Sequence, residues 1–216
     1  MRSVWAALLA VCCLALCAAA NAQTVSWSFD TVISGATPSG SAPWATLDLS
    51  TPGSDTVVGT LTNTSPAGSG QFITELLLNT VGAPGALVWP LPHDPQITGI
   101  SSGEDAFTDA GRLFDVDVQF VTAGSGDRLL PGDSATFTLT RSGLNANVFN
   151  TLSGAQGTDT PLYAMVHVQG LPDGGSSKIA PSGKTDFNNV VPEPASLLLL
   201  GLGAGPLAAL LRRRKA

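Results

Sequence analysis

Most of the reactive side chains in this sequence are carboxylates. Glu104, Asp105 and Asp109 lie together around Gly103 and Gly111, and Asp115 and Asp117 follow closely. Hard oxygen ligands on a glycine-rich loop suit calcium, which makes Glu104, Asp105 and Asp109 the candidate metal ligands. Their spacing matches neither an EF-hand nor a nonapeptide repeat. Asp115 and Asp117 also fit the wet positions of a strand. The same acids raise a glycosidase, whose sugar rings need aromatic platforms. Trp44 and Trp89, each beside proline, are the candidate ligand-binding rings, whereas Trp27 alternates with Phe29 and reads as core. Histidine adds little: His93 precedes Asp94 in a proline-rich stretch, His167 sits within a strand, and no Gly-x-Ser-x-Gly elbow accompanies either. Two distant histidines with no thiolate between them fall short of a zinc ligand set. No catalytic residue is predicted, and calcium is the one cofactor that the side chains suggest.

Charge narrows the partners. Between Gln23 and Val190 there are 15 Asp and Glu but five Lys and Arg, so this region is near −10. Such a surface repels phosphate backbones, which argues against nucleic acid. The one dense basic cluster is Arg212-Arg213-Arg214-Lys215. Cys12, Cys13 and Cys17 all precede residue 22, so the rest of the chain has no disulfide framework and no thiolate metal site.

The elements that must position these side chains have period two. Asp115-Val116-Asp117-Val118-Gln119-Phe120 alternates strictly, with Phe114 in phase. Ala135 to Thr140 alternates with threonines on the wet face, and Leu162, Ala164, Val166 and Val168 alternate with Tyr163, Met165, His167 and Gln169. Each predicts a half-buried strand. Val25–Asp30, Ala45–Ser50, Thr56–Thr62 and Gln71–Leu78 are further strands, the second and third pairing across a five-residue loop. Gly, Pro, Ser and Asp clusters separate them. The expected fold is all-β, an antiparallel β-sandwich of jelly-roll or Ig-like type over residues 23–170. Asn145 to Leu152 is expected to make a turn or two of helix, with Phe149 and Leu152 inward. Residues 81–111 read as an extended loop, and residues 171–190 as a flexible stalk.

The two ends follow other rules. Arg2, an apolar run from Val4 to Ala19, and Ala20-Asn21-Ala22 form a secretory signal, with cleavage after Ala22 leaving Gln23 first. Lipoprotein processing at Cys17 is disfavoured by the bulky Leu16 before it. Near the other end, Val191-Pro192-Glu193-Pro194 precedes 17 apolar residues, 195–211, and then the basic cluster. As a helix this run would measure about 25 Å at 1.5 Å per residue, the short limit for a membrane span. Basic residues after it would stay cytoplasmic and leave residues 23–190 outside the inner membrane. The prolines around Glu193 forbid regular helix and favour extended backbone there.

The ordered set of Val191-Pro192-Glu193-Pro194, one apolar span and Arg212, Arg213, Arg214 resembles the PEP-CTERM sorting domain. The resemblance implies recognition by a membrane-embedded exosortase, a cysteine-dependent transpeptidase-like enzyme that removes or exchanges the tail near Pro-Glu-Pro. It further implies a Gram-negative host with exopolysaccharide or biofilm machinery. Leu76–Asn79 also resembles a strand end, and Ala164–Gly170 a strand, in the ectodomains of such proteins. The chain is therefore expected to be an exported, non-enzymatic surface or matrix protein. Its processing partners would be signal peptidase and exosortase, with polysaccharide a further partner and secretion after processing an alternative end point. A carbohydrate-binding module using Trp44 and Trp89 is the alternative reading.

Overall fold

In the computed structural model the described residues are 23–183, except 91, 93, 125 and 126. The signal segment with Ala20 and Ala22, His93, and the sorting segment with its predicted helix 195–211 lie outside them. Among the described residues no helix is long and apolar enough to cross a membrane.

Ten strands follow in chain order: β1 (Thr24–Gly35), β2 (Ala45–Gly53), β3 (Thr56–Asn63), β4 (Phe72–Leu78), β5 (Ile97–Asp109), β6 (Arg112–Phe120), β7 (Ser134–Thr140), β8 (Gly154–Ala155), β9 (Ala164–Gln169) and β10 (Ser176–Pro181). The fold is all-β and antiparallel, as the alternation predicts. Its layers are not two separate sheets, however. One sheet runs β5-β6-β4-β9-β10-β1-β2-β3-β7, with the short β8 beside β6. β1 is the reason: Thr24 to Phe29 pairs with β2, and Phe29 to Gly35 pairs with β10 after irregularities at Phe29/Thr31 and Val32/Ser34. Such bulges bend a strand, so one strand serves both layers. The loop after β4 nearly closes the sheet. Val88 bridges Thr140 of β7, while Ser102 of β5 donates to the Gly85 carbonyl at 3.2 Å.

One large core fills the interior. Val25, Trp27 and Phe29 of β1 meet Leu47 and Leu49 of β2, Phe137 and Leu139 of β7, and Val116, Val118 and Phe120 of β6. The wet faces carry the expected polar ladder, with Thr60 to Thr136 at 3.3 Å and Thr62 to Ser134 at 2.7 Å. β2 and β3 pair as expected but through a tighter turn, because Gly53 already faces Thr56 and Asp55 takes φ 65°.

Three expectations need correction. The segment read as a loop over 81–111 contains β5, an edge strand whose residues are largely exposed; its hydrogen bonds to β6, not burial, make it a strand. The stalk predicted over 171–190 is overturned for its described part: Ser176–Pro181 inserts as β10 between β9 and β1, burying Ile179 and Ala180. The Asn145–Leu152 helix shortens to a 3-10 turn over Ala146–Phe149, capped by the Asn145 side chain; Phe149 is buried but Leu152 is 49% exposed.

Candidate functional site

On the outer face of β10, β9, β4, β6 and β5, cross-strand pairing lines up polar residues that are far apart in sequence. Lys178 faces His167, His167 faces Glu75, Glu75 faces Gln119, and Gln119 faces Gly99. Their strand mates at alternate positions, including Leu76, Val118, Val166 and Ile179, fill the core, so the pleat fixes this row outward. Gly99 supplies no side chain and has open space above it. The row borders a groove of about 420 Å³ whose walls include Glu75, His167, Gln119, Gln169, Thr98 and Thr122.

One step along the strands the face becomes apolar. Leu77 faces both Met165 and Asp117. Leu77, Met165, Phe114, Leu162 and Ala180 form a second, smaller cluster, with Ile33, Phe107 and Ala110 packed on it. Asp117 is consequently buried at 6% exposure; its Oδ2 accepts from Gln119 Nε2 at 2.8 Å, while Oδ1 has no partner among the described residues. Burial raises the Asp117 carboxyl above its usual range, against the pull of the Gln119 hydrogen bond. Burial also raises Glu75, Asp117 adds repulsion, and Lys178 partly opposes both. His167 is lowered by burial, which favours the neutral ring. Lys178 itself pairs with Asp109 from the far end of the β5–β6 hairpin. The groove thus offers a carboxylate, a neutral imidazole and side-chain amides, an arrangement suited to holding a ligand with donor groups.

The residues singled out in the sequence are dispersed. Trp44 is 6% exposed, its Nε1 donating to the Gly40 carbonyl at 3.3 Å, so its ring is core and offers no stacking face. Trp89 packs half-buried against the same core. Glu104 and Asp105 are exposed on the irregular stretch of β5, and the Asp105 amide donates to Asp115 Oδ1 at 2.8 Å. Asp109 is engaged by Lys178. Glu104, Asp105 and Asp109 therefore do not converge, and among the described residues no group of three acidic, His or Cys side chains is placed to hold a metal. Asp94 accepts from the Gln96 amide at 3.0 Å and from the Thr136 amide at 3.4 Å, which ties the loop before β5 to β7. Gln23 begins the described chain, its carbonyl accepting from the Thr51 amide at 2.9 Å.

Glu75 and Gln119 were not picked out by sequence reasoning. The available signal is a lone carboxylate within Phe72-Ile73-Thr74-Glu75-Leu76-Leu77-Leu78, a strand buried along most of both faces. The two stretches with loose family resemblance are neighbours here: Leu76 pairs with Val166 and Leu78 with Ala164, while Asn79 Nδ2 donates to the Leu162 and Tyr163 carbonyls at 3.0 and 2.9 Å.

The family model described as the PEP-CTERM protein-sorting motif matches residues 190–215. This agrees with the resemblance carried by Val191-Pro192-Glu193-Pro194 and the arginines. The matched stretch is a signal for export and sorting to the cell surface through an exosortase. No curated protein and no solved structure matches the chain.

Proposed function

We propose that this chain is an exported, non-enzymatic surface protein whose β unit works as a binding or matrix element outside the inner membrane, in association with exopolysaccharide. In this reading the first 22 residues are removed after Ala22. Residues 195–211 hold the chain in the membrane as a helix, with Arg212, Arg213 and Arg214 on the inner side, until exosortase acts near Pro192-Glu193-Pro194. The observation that carries the proposal is the sorting-motif match over 190–215. The groove supports a binding role, since Glu75 and His167 face each other across the β4–β9 pair and, among the described residues, neither is hydrogen-bonded to a nucleophilic side chain.

The test is mass spectrometry of the protein recovered from the host's surface. The expected product begins at Gln23 and ends near Pro192. A Pro192→Ala, Glu193→Ala, Pro194→Ala variant is expected to stay full-length in the inner-membrane fraction. An unprocessed tail on surface material, or normal processing of the triple variant, overturns the reading. Hydrolysis of a host polysaccharide by the purified chain, abolished by Glu75→Gln, overturns the non-enzymatic part alone.

A further inference from the structure

The outer groove contains acceptor groups that the protein leaves unserved. Neither the Glu75 carboxylate nor the His167 ring takes a hydrogen bond from the described residues. Behind Glu75, Asp117 has a buried Oδ1 without a partner among the described residues. The cation on this register line, Lys178, is already taken by Asp109. A carboxylate drawn out of water without a donor is costly, and an incoming cation with N–H groups offsets that cost most directly.

We propose that this groove binds an organic ammonium group, of the kind carried by a polyamine or a non-acetylated amino sugar, with Glu75 as its ion-pair partner and Asp117 as the charge behind it. The alternatives fit the walls less well. An anion would meet two carboxylates on a region that is near −10. A neutral sugar usually takes an open aromatic face, and the aromatic wall residue, Phe120, is 2% exposed. A bare divalent ion wants several hard oxygens, and no such group of three is placed among the described residues. An ammonium needs one carboxylate and a few neutral acceptors, which Glu75, the His167 ring and the Gln119 and Gln169 carbonyl oxygens supply. The volume of about 420 Å³ suits a single sugar unit or a short diamine.

The inference rests on the β unit being a binding element but not on its sorting, so the two fail separately. The full chain in nonionic detergent is titrated at pH 7.5 and low salt with putrescine, glucosamine, N-acetylglucosamine and calcium, followed by calorimetry and by NMR of the histidine rings. Putrescine and glucosamine are expected to bind and to shift the His167 ring. The one that binds more tightly identifies the source, and N-acetylglucosamine is expected to be at least tenfold weaker than glucosamine. Glu75→Gln should weaken both amines at least tenfold, about 1.4 kcal/mol. Exposed Gln119→Ala should also weaken them, and Glu104→Gln, on the exposed stretch of β5, should leave them unchanged. Acidification should release the ligand as Glu75 takes up a proton. The charged groups facing Glu75 (Asp117, His167 and Lys178 with its partner Asp109) give that response the same sign, because a protonated His167 adds repulsion. Equal binding of N-acetylglucosamine, calcium in place of the amines, amine binding indifferent to Glu75→Gln, or silence from every probe overturns the inference.

Discussion

Asn79 offers a sharp test of how the β4–β9 pair is locked. Its side chain is 2% exposed, and Nδ2 donates to two carbonyls, Leu162 at 3.0 Å and Tyr163 at 2.9 Å, while Oδ1 has no partner among the described residues. The Leu162 carbonyl has a second donor in the Ser153 amide at 2.8 Å. Asn79→Ala therefore removes two hydrogen bonds, each contributing about 1 kcal/mol net. The expected loss is about 2 kcal/mol, a fall in the urea midpoint of roughly 1 M for a slope near 2 kcal/mol/M. Asn79→Asp separates donor loss from shape. Near neutral pH it sets a carboxylate against two carbonyls and should cost more than alanine; as pH falls, the protonated acid can donate once and should recover part of the loss. The measurement is urea unfolding of residues 23–188, which form one compact unit, at pH 7 and at pH 4. An alanine variant within about 0.5 kcal/mol of the parent, or an aspartate variant that tracks alanine at both pH values, refutes the lock.

Three more outcomes follow from close contacts and burial. Gly170 has φ 72°, and a Cβ there would stand 2.5 Å from the Gly70 carbonyl oxygen, so Gly170→Ala should cost about 2 kcal/mol or more by thermal unfolding. At Gly59 a Cβ would lie 2.3 Å from the Phe137 ring across the β3–β7 pair. Gly59→Ala should destabilise by about 1–3 kcal/mol, and Phe137→Leu in the same chain should return part of that loss, measured by a double-mutant cycle. The raised carboxyls of Glu75 and Asp117 hold protons in the folded chain that the unfolded chain has already released. Stability should therefore fall as pH rises from the ordinary carboxyl range through their folded values. The Glu75→Gln, Asp117→Asn variant should flatten that slope and be the more stable form at pH 7 in urea unfolding. Asp30 acts with the opposite sign: burial raises it, but hydrogen bonds from Ser182 and Thr31 outweigh that and lower it overall. Its contribution is lost only as pH drops below the ordinary range, so the two effects occupy separate windows.

Alternation found the strands that bury one face and missed those held otherwise. Ala45, Leu47 and Leu49 against Thr46, Asp48 and Ser50 announce β2 because one side of it meets the core. β5 carries Gly99, Ser101, Ser102, Gly103, Glu104 and Asp105, a composition that spells loop, because an edge strand is stabilised on one side only and presents little apolar surface. β10 sits mid-sheet but its apolar burial is limited to Ile179 and Ala180, beside a buried Ser177, too short a run for a period to emerge. The continuous sheet was equally hidden. Nothing in the Thr24–Gly35 sequence says that its halves serve different neighbours, since that depends on irregularities in pairing with β10.

The site shows the same limit at the level of single residues. Period two assigns each side chain a face but not a neighbour, and the Lys178, His167, Glu75 and Gln119 row exists only once β10, β9, β4 and β6 are laid side by side. Loop acids drew attention in the sequence because they cluster, yet acidic residues gather in turns for local reasons, as when the Asp109 side chain accepts from the Ala110 amide at 2.6 Å. Clustering in sequence is thus weak grounds for a site. A lone charge inside a strand that is apolar on both sides is stronger grounds, because burying it is costly and a packed sheet keeps few such positions without a use. By that criterion Glu75, flanked by Ile73 and the three leucines, outranks Glu104, Asp105 and Asp109, and it is the position where substitution should alter binding with least disturbance of the fold.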